Sequence, residues 1–324
     1  MNIYSVFVDG QEGTTGLQID DYLRNRRDIS VLRIDPALRK DPVERARLLN
    51  SADVAFLCLP DAAARESAGL IGNPATCVID TSTAHRVDPD WVYGLPELES
   101  GQRERMVASK RITNPGCHAT AFILAIRPLV DAGLLPPDYP LSAVSHTGYS
   151  GGGKQMIRQY QAARDGQTGS PPALLAPRPY ALGLTHKHLP EMTRYARLNR
   201  APVFMPVVGP FYQGLTVSLA LDLAHLRALG SRDVSREAIH AALSARYAQE
   251  HFVRVAPLAA APAEGFFDVE GARGTNRADL FVFGHDDQCL VMSRIDNLGK
   301  GASGAAIQAM NIHLGLDECE GLPA

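Results

Sequence analysis

Ile3-Tyr4-Ser5-Val6-Phe7-Val8-Asp9-Gly10-Gln11-Glu12-Gly13-Thr14-Thr15-Gly16 opens the chain, and Leu17-Gln18-Ile19-Asp20-Asp21-Tyr22-Leu23 follows it. Residues 3–8 form a β-prone run, 9–16 are rich in glycine, and 17–23 carry apolar side chains at helical spacing. Strand, glycine turn and helix is the context in which Gly-x-x-Gly-x-x-Gly acquires a meaning. The glycines let the backbone approach a pyrophosphate, and the helix N-terminus offers it unpaired N–H groups. The spacing departs from the commoner Gly-x-Gly-x-x-Gly, and a turn with no ligand is the plain alternative.

The next segments keep the rhythm. Residues 29–34 read as a second strand ending at Asp35-Pro36, 44–50 as a helix, 53–59 as a third strand, 61–70 as a helix and 77–80 as a buried strand. Such alternation predicts parallel βαβ units in a doubly wound sheet, with ligand-facing loops after the strands. The chain's polar loops fall there, Thr81-Ser82-Thr83-Ala84-His85-Arg86 among them. An acidic residue after the second strand takes the ribose 2′-OH of NAD in many such sites, and Asp35 has that position. Arg33, Arg39 and Lys40 stand close by and suit a 2′-phosphate instead.

Asn114-Pro115-Gly116-Cys117 is followed at once by His118-Ala119-Thr120-Ala121 and an apolar run over 122–126. Pro and Gly break regular structure and the run reads as a helix, which places Cys117 at its start. Unpaired N–H groups and the helix dipole stabilise a thiolate there and offer donors to an oxyanion. An inert buried cysteine is the alternative. A cysteine nucleophile needs a base. Leu184-Thr185-His186-Lys187-His188-Leu189-Pro190-Glu191 is too polar for core and supplies His186 or His188, with Glu191 to orient it. The His-x-His run also suits a metal, but no third ligand of convincing spacing accompanies it.

From residue 140 the pattern changes. Residues 141–148 read as a strand entering a glycine-rich loop, Tyr149-Ser150-Gly151-Gly152-Gly153-Lys154, suited to an anionic group or to a flexible turn. Residues 166–179 read as a long loop, 203–208, 216–221, 280–283 and 289–292 as strands, and 235–249 as a helix. Strands joined by long excursions predict a mostly antiparallel sheet with helices on one face, the other face being the expected subunit interface. The last motif, Asp296-Asn297-Leu298-Gly299-Lys300-Gly301, leads a helix rich in small residues.

The 324 residues suffice for two domains; 45% are hydrophobic and 21% charged, as in ordinary globular enzymes. A net charge of −3 gives no reason to expect nucleic acid or an anionic membrane as partner. Cys58, Cys77, Cys117, Cys289 and Cys319 form no Cys-x-x-Cys pair, which argues for a reducing compartment. No apolar run approaches the ~20 residues of a membrane span, and the first strand leaves no room for a signal peptide. A cytoplasmic protein is expected.

Together these motifs resemble, in family order over essentially the whole chain, the shorter type of N-acetyl-γ-glutamyl-phosphate reductase. That family lies within the aspartate-semialdehyde dehydrogenase superfamily, whose architecture glyceraldehyde-3-phosphate dehydrogenase shares. The resemblance implies an α/β fold, with a Rossmann domain of 1–116 and 299–324 and an α+β catalytic and oligomerisation domain of 117–298. It implies NADP(H) as cofactor, against the weak NAD signal of Asp35. The implied activity is NADPH-dependent reduction of N-acetyl-L-glutamyl 5-phosphate to the 5-semialdehyde, with release of inorganic phosphate, through a Cys117 thioester. The alternative is another acyl phosphate, aspartyl phosphate or a carrier-bound aminoadipyl phosphate. Cys117, His186 and Glu191 are the implied catalytic residues. The implied cofactor residues are Gly10, Gly13, Thr14, Thr15, Gly16, Asp35, Ser82, Gly151, Gly152 and Asn297. Arg86, Asn114, Ser150 and His188 are assigned to substrate, Arg86 for its phosphate or α-carboxylate. No metal is expected, and a homodimer or homotetramer is.

Overall fold

β1 (Tyr4–Asp9), α1 (Thr14–Leu23), β2 (Ile29–Leu32), α2 (Pro42–Ser51), β3 (Val54–Leu57), α3 (Asp61–Gly69) and β4 (Cys77–Asp80) alternate in the computed structural model. It describes residues 2–166, 172–231, 233–258 and 265–324. β5 (Val92–Tyr93), α4 (Gln102–Ala108) and β6 (Arg111–Thr113) follow. These strands pair in parallel in the order β2-β1-β3-β4-β6-β5. Every residue of β3 and β4 is buried, as expected where helices cover both faces of a parallel sheet. At the start of α2 the Asp41 carboxylate accepts the N–H groups of Val43 and Glu44 at 2.8 and 3.0 Å, with Pro42 at the first helical position. Phe7, Leu49, Leu57 and Val78 pack in one core cluster, each burial contributing about 1.5–3 kcal/mol.

The chain divides into two units, Met1–Gly116 with Ala302–Pro323 and Cys117–Gly301. The second begins with α5 (Cys117–Asp131), whose Phe122, Leu124, Ile126 and Leu129 are fully buried. After it come β7 (Ser142–Gly148), α6 (Gly153–Arg164), β8 (Arg178–Pro179), α7 (Leu189–Tyr195), β9 (Val203–Gly209) and β10 (Leu215–Asp222). α8 (Leu223–Ala228), α9 (Arg236–Tyr247), β11 (Val253–Val255), β12 (Ala278–Gly284) and β13 (Gln288–Ile295) complete it. The sheet order is β11-β12-β13-β10-β7-β9-β8. β12–β13, β13–β10, β10–β7 and β8–β9 are antiparallel, while β7–β9 and β11–β12 are parallel. The parallel joins occur where a long excursion returns the chain in its original direction. α5 packs on β10 and β13, and α9 on β11 and β12. α10 (Gly304–His313) belongs to the first unit and packs on α1, α4 and β4.

Several segments differ from the sequence reading. The expected loop over 149–154 is a 3-10 turn, Tyr149–Gly152, running into α6. Tyr160 on α6 stacks on Tyr149 at 4.6 Å, and this apolar contact holds the helix against the turn. The expected loop over 166–179 contains a 3-10 turn, Pro172–Leu175, and the edge strand β8; its residues 167–171 lie outside the described residues. β5 and β6 escaped the reading because runs of two and three residues carry no measurable periodicity.

Candidate active site

In the first unit, Gly10 adopts φ +88° after β1, and a Cβ there would lie 2.3 Å from the carbonyl oxygen of Cys58. Only glycine allows both the turn and that approach. Gly13 caps α1, Thr14 and Thr15 are its first residues, and Gly16 is buried within it. Thr14 Oγ1 is buried with no hydrogen-bond partner among the described residues, at the helix end where a phosphate oxygen would be received. Beside this turn lies a cavity of about 580 Å³ whose lining includes Gly10, Glu12, Pro36, Arg39, Lys40 and Arg45. Arg45 pairs with buried Asp9 at 2.9 Å, which neutralises the carboxylate next to the phosphate turn. Arg39 pairs with Glu12, which also lines the cavity. Arg33 is held 2.6 Å from Asp20, and Asp35 accepts the N–H of Ala37 at 2.8 Å; neither lines the cavity. The residues fit a dinucleotide, and the cations at the cavity fit one bearing a 2′-phosphate.

The loop after β4 is tied to its own strand. Ser82 Oγ donates to Asp80 at 2.8 Å, and His85 Nδ1 lies 2.7 Å from the same buried carboxylate, with Trp91 stacked on the imidazole at 4.1 Å. Arg86 is buried and donates to the carbonyl oxygens of Asn114 and Thr81 at 2.9 and 3.2 Å. It thus braces the segment that leads to Cys117. Asn114 Nδ2 donates to the Ala302 carbonyl at 2.9 Å, and its Oδ1 is buried with no partner among the described residues.

In the second unit, half-buried Cys117 is the first residue of α5. A Cβ on Gly301 would sit 2.7 Å from the Cys117 Cβ, so glycine permits the close pass of that segment. Its approach is fixed by Asp296, whose carboxylate accepts the N–H groups of Leu298 and Gly274 at 2.8 and 2.6 Å. Asn297 accepts the Gly214 N–H and donates to Ser150 Oγ, both at 2.9 Å; Gly151 packs against it. Gly152 ends the same 3-10 turn.

His186 and His188 stand with ring centroids 4.7 Å apart, and His188 donates its backbone N–H to His186 Nδ1 at 3.1 Å. Glu191 follows on the first turn of α7 and is buried. The unforeseen member is His118, whose ring centroid lies 5.3 Å from that of His186 and 5.5 Å from that of His188. Its nitrogens lie 2.8 Å from Ser145 Oγ and 3.0 Å from the Tyr180 hydroxyl. Burial, with the positive charges of His186 and Lys187, pushes its pKa down to about 3. Its place directly after Cys117 is the one local hint.

The chain matches the family models "Semialdehyde dehydrogenase, NAD binding domain" over residues 5–106 and "Semialdehyde dehydrogenase, dimerisation domain" over 117–297. It is 46% identical over 317 residues to the N-acetyl-gamma-glutamyl-phosphate reductase of Burkholderia cenocepacia, covering 97% of this chain and 98% of that protein. The N-acetyl-gamma-glutamyl-phosphate reductase of a Chelativorans species is 47% identical over 313 residues, covering 95% and 97%. The chain belongs to the N-acetyl-γ-glutamyl-phosphate reductase family. Aspartate semialdehyde dehydrogenase II from Vibrio cholerae superposes with a TM-score of 0.73 at 16% identity, over 97% of this chain and 99% of that one. The reductase family is thereby placed on the semialdehyde dehydrogenase fold, and NADP(H) is its cofactor. Among the described residues no helix is long and apolar enough to cross a membrane.

Proposed function

We propose that the chain reduces N-acetyl-L-glutamyl 5-phosphate to N-acetyl-L-glutamate 5-semialdehyde and inorganic phosphate with NADPH, in the cytoplasm. The observation that carries this is the gathering of His186 and His188 on His118, the residue that follows a cysteine heading a helix. Cys117 Sγ attacks the acyl carbonyl, and N–H groups of the first turn of α5 receive the oxyanion. Loss of phosphate leaves a thioester on Cys117. NADPH, when bound, supplies the hydride that reduces it. The resulting thiohemiacetal oxyanion takes a proton from the protonated His186 at Nε2 and returns it to His186 as the C–S bond breaks, releasing the semialdehyde and restoring the Cys117 thiolate, while Glu191 balances the charge on His186. Relatives at 46% and 47% identity carrying the same name favour this acyl phosphate over the aspartyl or aminoadipyl one.

Residues 1–116 and 299–324 hold the cofactor; Gly10, Thr14 and Thr15 take its pyrophosphate, and Arg39 and Lys40 its 2′-phosphate. Residues 117–298 hold substrate and the subunit contact. Phe281, Met292, Ser218, Val144 and Met205 form one register row on the sheet face away from α5 and α9. A second copy covers this partly apolar face in a homodimer.

The test is phosphate-dependent reduction of NADP+ with N-acetylglutamate semialdehyde, run beside aspartate semialdehyde. Faster turnover of the aspartate compound would reverse the substrate assignment. A monomer in light scattering would remove the dimer.

A further inference from the structure

His118 is 3% exposed, and both its ring nitrogens have partners: Ser145 on β7 and Tyr180 just beyond β8. A neutral imidazole has one N–H, so it must accept on one side and donate on the other. His118 is neutral across the working pH range. Burial and the negative charge of Cys117 push the Tyr180 phenol upward, so that hydroxyl keeps its proton, and the Tyr180 ring centroid stands 5.8 Å from that of His186. Tyr180 is further held by its N–H, which donates to the Pro206 carbonyl at 3.0 Å. Past it the chain takes left-handed conformations at Ala181 (φ 53°) and Leu184 (φ 56°) on the way to His186. Non-glycine residues seldom adopt these, because Cβ then crowds the following carbonyl, so the surrounding contacts must enforce the path.

We propose that His118 is a positioning residue for the reaction: it accepts the Ser145 O–H at Nδ1 and donates Nε2–H to the Tyr180 oxygen, leaving the Tyr180 O–H to donate to the substrate on Cys117. The opposite polarity would use the phenol's single proton on His118 and leave no donor for the substrate. The inference rests on the reading of Cys117 as acyl carrier.

A double-mutant cycle tests it. His118→Phe and Tyr180→Phe should each lower kcat by roughly 10- to 100-fold, the scale of one hydrogen bond to developing charge. KM should change little. The double variant should be no slower than the slower single one, because His118 acts on the reaction only through the Tyr180 hydroxyl. His118→Gln, which keeps an N–H donor, should recover most of the rate. Nitrogen-15 NMR of the wild type should find the His118 proton on Nε2 from pH 5 to 9, a readout that stands even where His118→Phe fails to fold. A double variant whose loss is the product of the two single losses, or a proton on Nδ1, overturns the proposal. An active wild type with a multiplicative cycle overturns only this proposal. A wild type without turnover overturns the reading of the site, and this inference with it.

Discussion

The backbone N–H of His188 donates to Nδ1 of His186 at 3.1 Å, and the Leu189 N–H closes the same turn on the His186 carbonyl at 3.0 Å. An imidazole whose Nδ1 accepts a backbone N–H carries its neutral-state proton on Nε2, so the turn itself selects the tautomer. The His188 ring is buried behind it, edge to face at 90°. His186→Asn should therefore lower kcat by about two to four orders of magnitude, the scale of general acid–base catalysis. His188→Asn should cost far less. The wild-type pH–rate profile should contain a histidine ionisation that disappears with His186→Asn; its loss with His188→Asn instead would exchange the two roles.

Cysteine chemistry should be selective. Burial pushes the thiols of Cys58, Cys77 and Cys289 up to about 12, so at pH 7 their thiolate fraction is on the order of 10⁻⁵. Burial also raises the Cys319 thiol, with the Asp317 and Glu318 charges adding to it. Brief iodoacetamide treatment at neutral pH should label Cys117 first, as seen by peptide mass spectrometry, with activity lost in proportion. Cys117→Ala should retain less than about a thousandth of the rate while still binding NADPH. Rapid labelling of a strand cysteine before Cys117 would remove the basis of the assignment.

Cofactor choice should depend on Arg39 and Lys40, the cavity cations other than Arg45, which is paired with Asp9. Arg39→Ala and Lys40→Ala are each expected to weaken NADPH binding by roughly 10- to 100-fold, the worth of a charge-assisted hydrogen bond, and to leave NADH binding nearly unchanged. Asp35→Ala should alter neither strongly, since its carboxylate is engaged in its own turn. Fluorescence titration with both nucleotides measures the ratio directly. Arg33→Ala serves as the control.

Acid stability should carry the signature of His118. Its pKa falls from 6.5 in the unfolded chain to about 3 in the folded one, so between these values the unfolded state binds more protons. The contribution is fully present above pH 6.5 and is lost as pH falls toward 3, by up to about 1.4 kcal/mol for each pH unit. Urea melts at pH 7, 6 and 5 should show a shallower decline for His118→Gln than for the wild type. Equal slopes would mean that His118 is protonated in the native state.

What the sequence determined by itself was local. Alternating apolar runs, the glycine turn after Val8 and the Pro-Gly break before Cys117 mark strands, a phosphate turn and a helix start, because periodicity and backbone restriction act over a few residues. Shared motifs along the chain were enough to point to the family. The tertiary structure decided where several equivalent side chains lie and what they pair with. Arg33, Arg39 and Lys40 are near neighbours in sequence, yet pairing with Asp20 draws Arg33 away while the other two line the cavity. Asp35, well placed in sequence, turns back on its own loop. His118 reads as one more polar residue at a helix start until α5, β7 and the segment after β8 pack together and present it with Ser145 and Tyr180. Contacts between distant segments depend on how buried surfaces fit, and no local pattern in the chain records that fit.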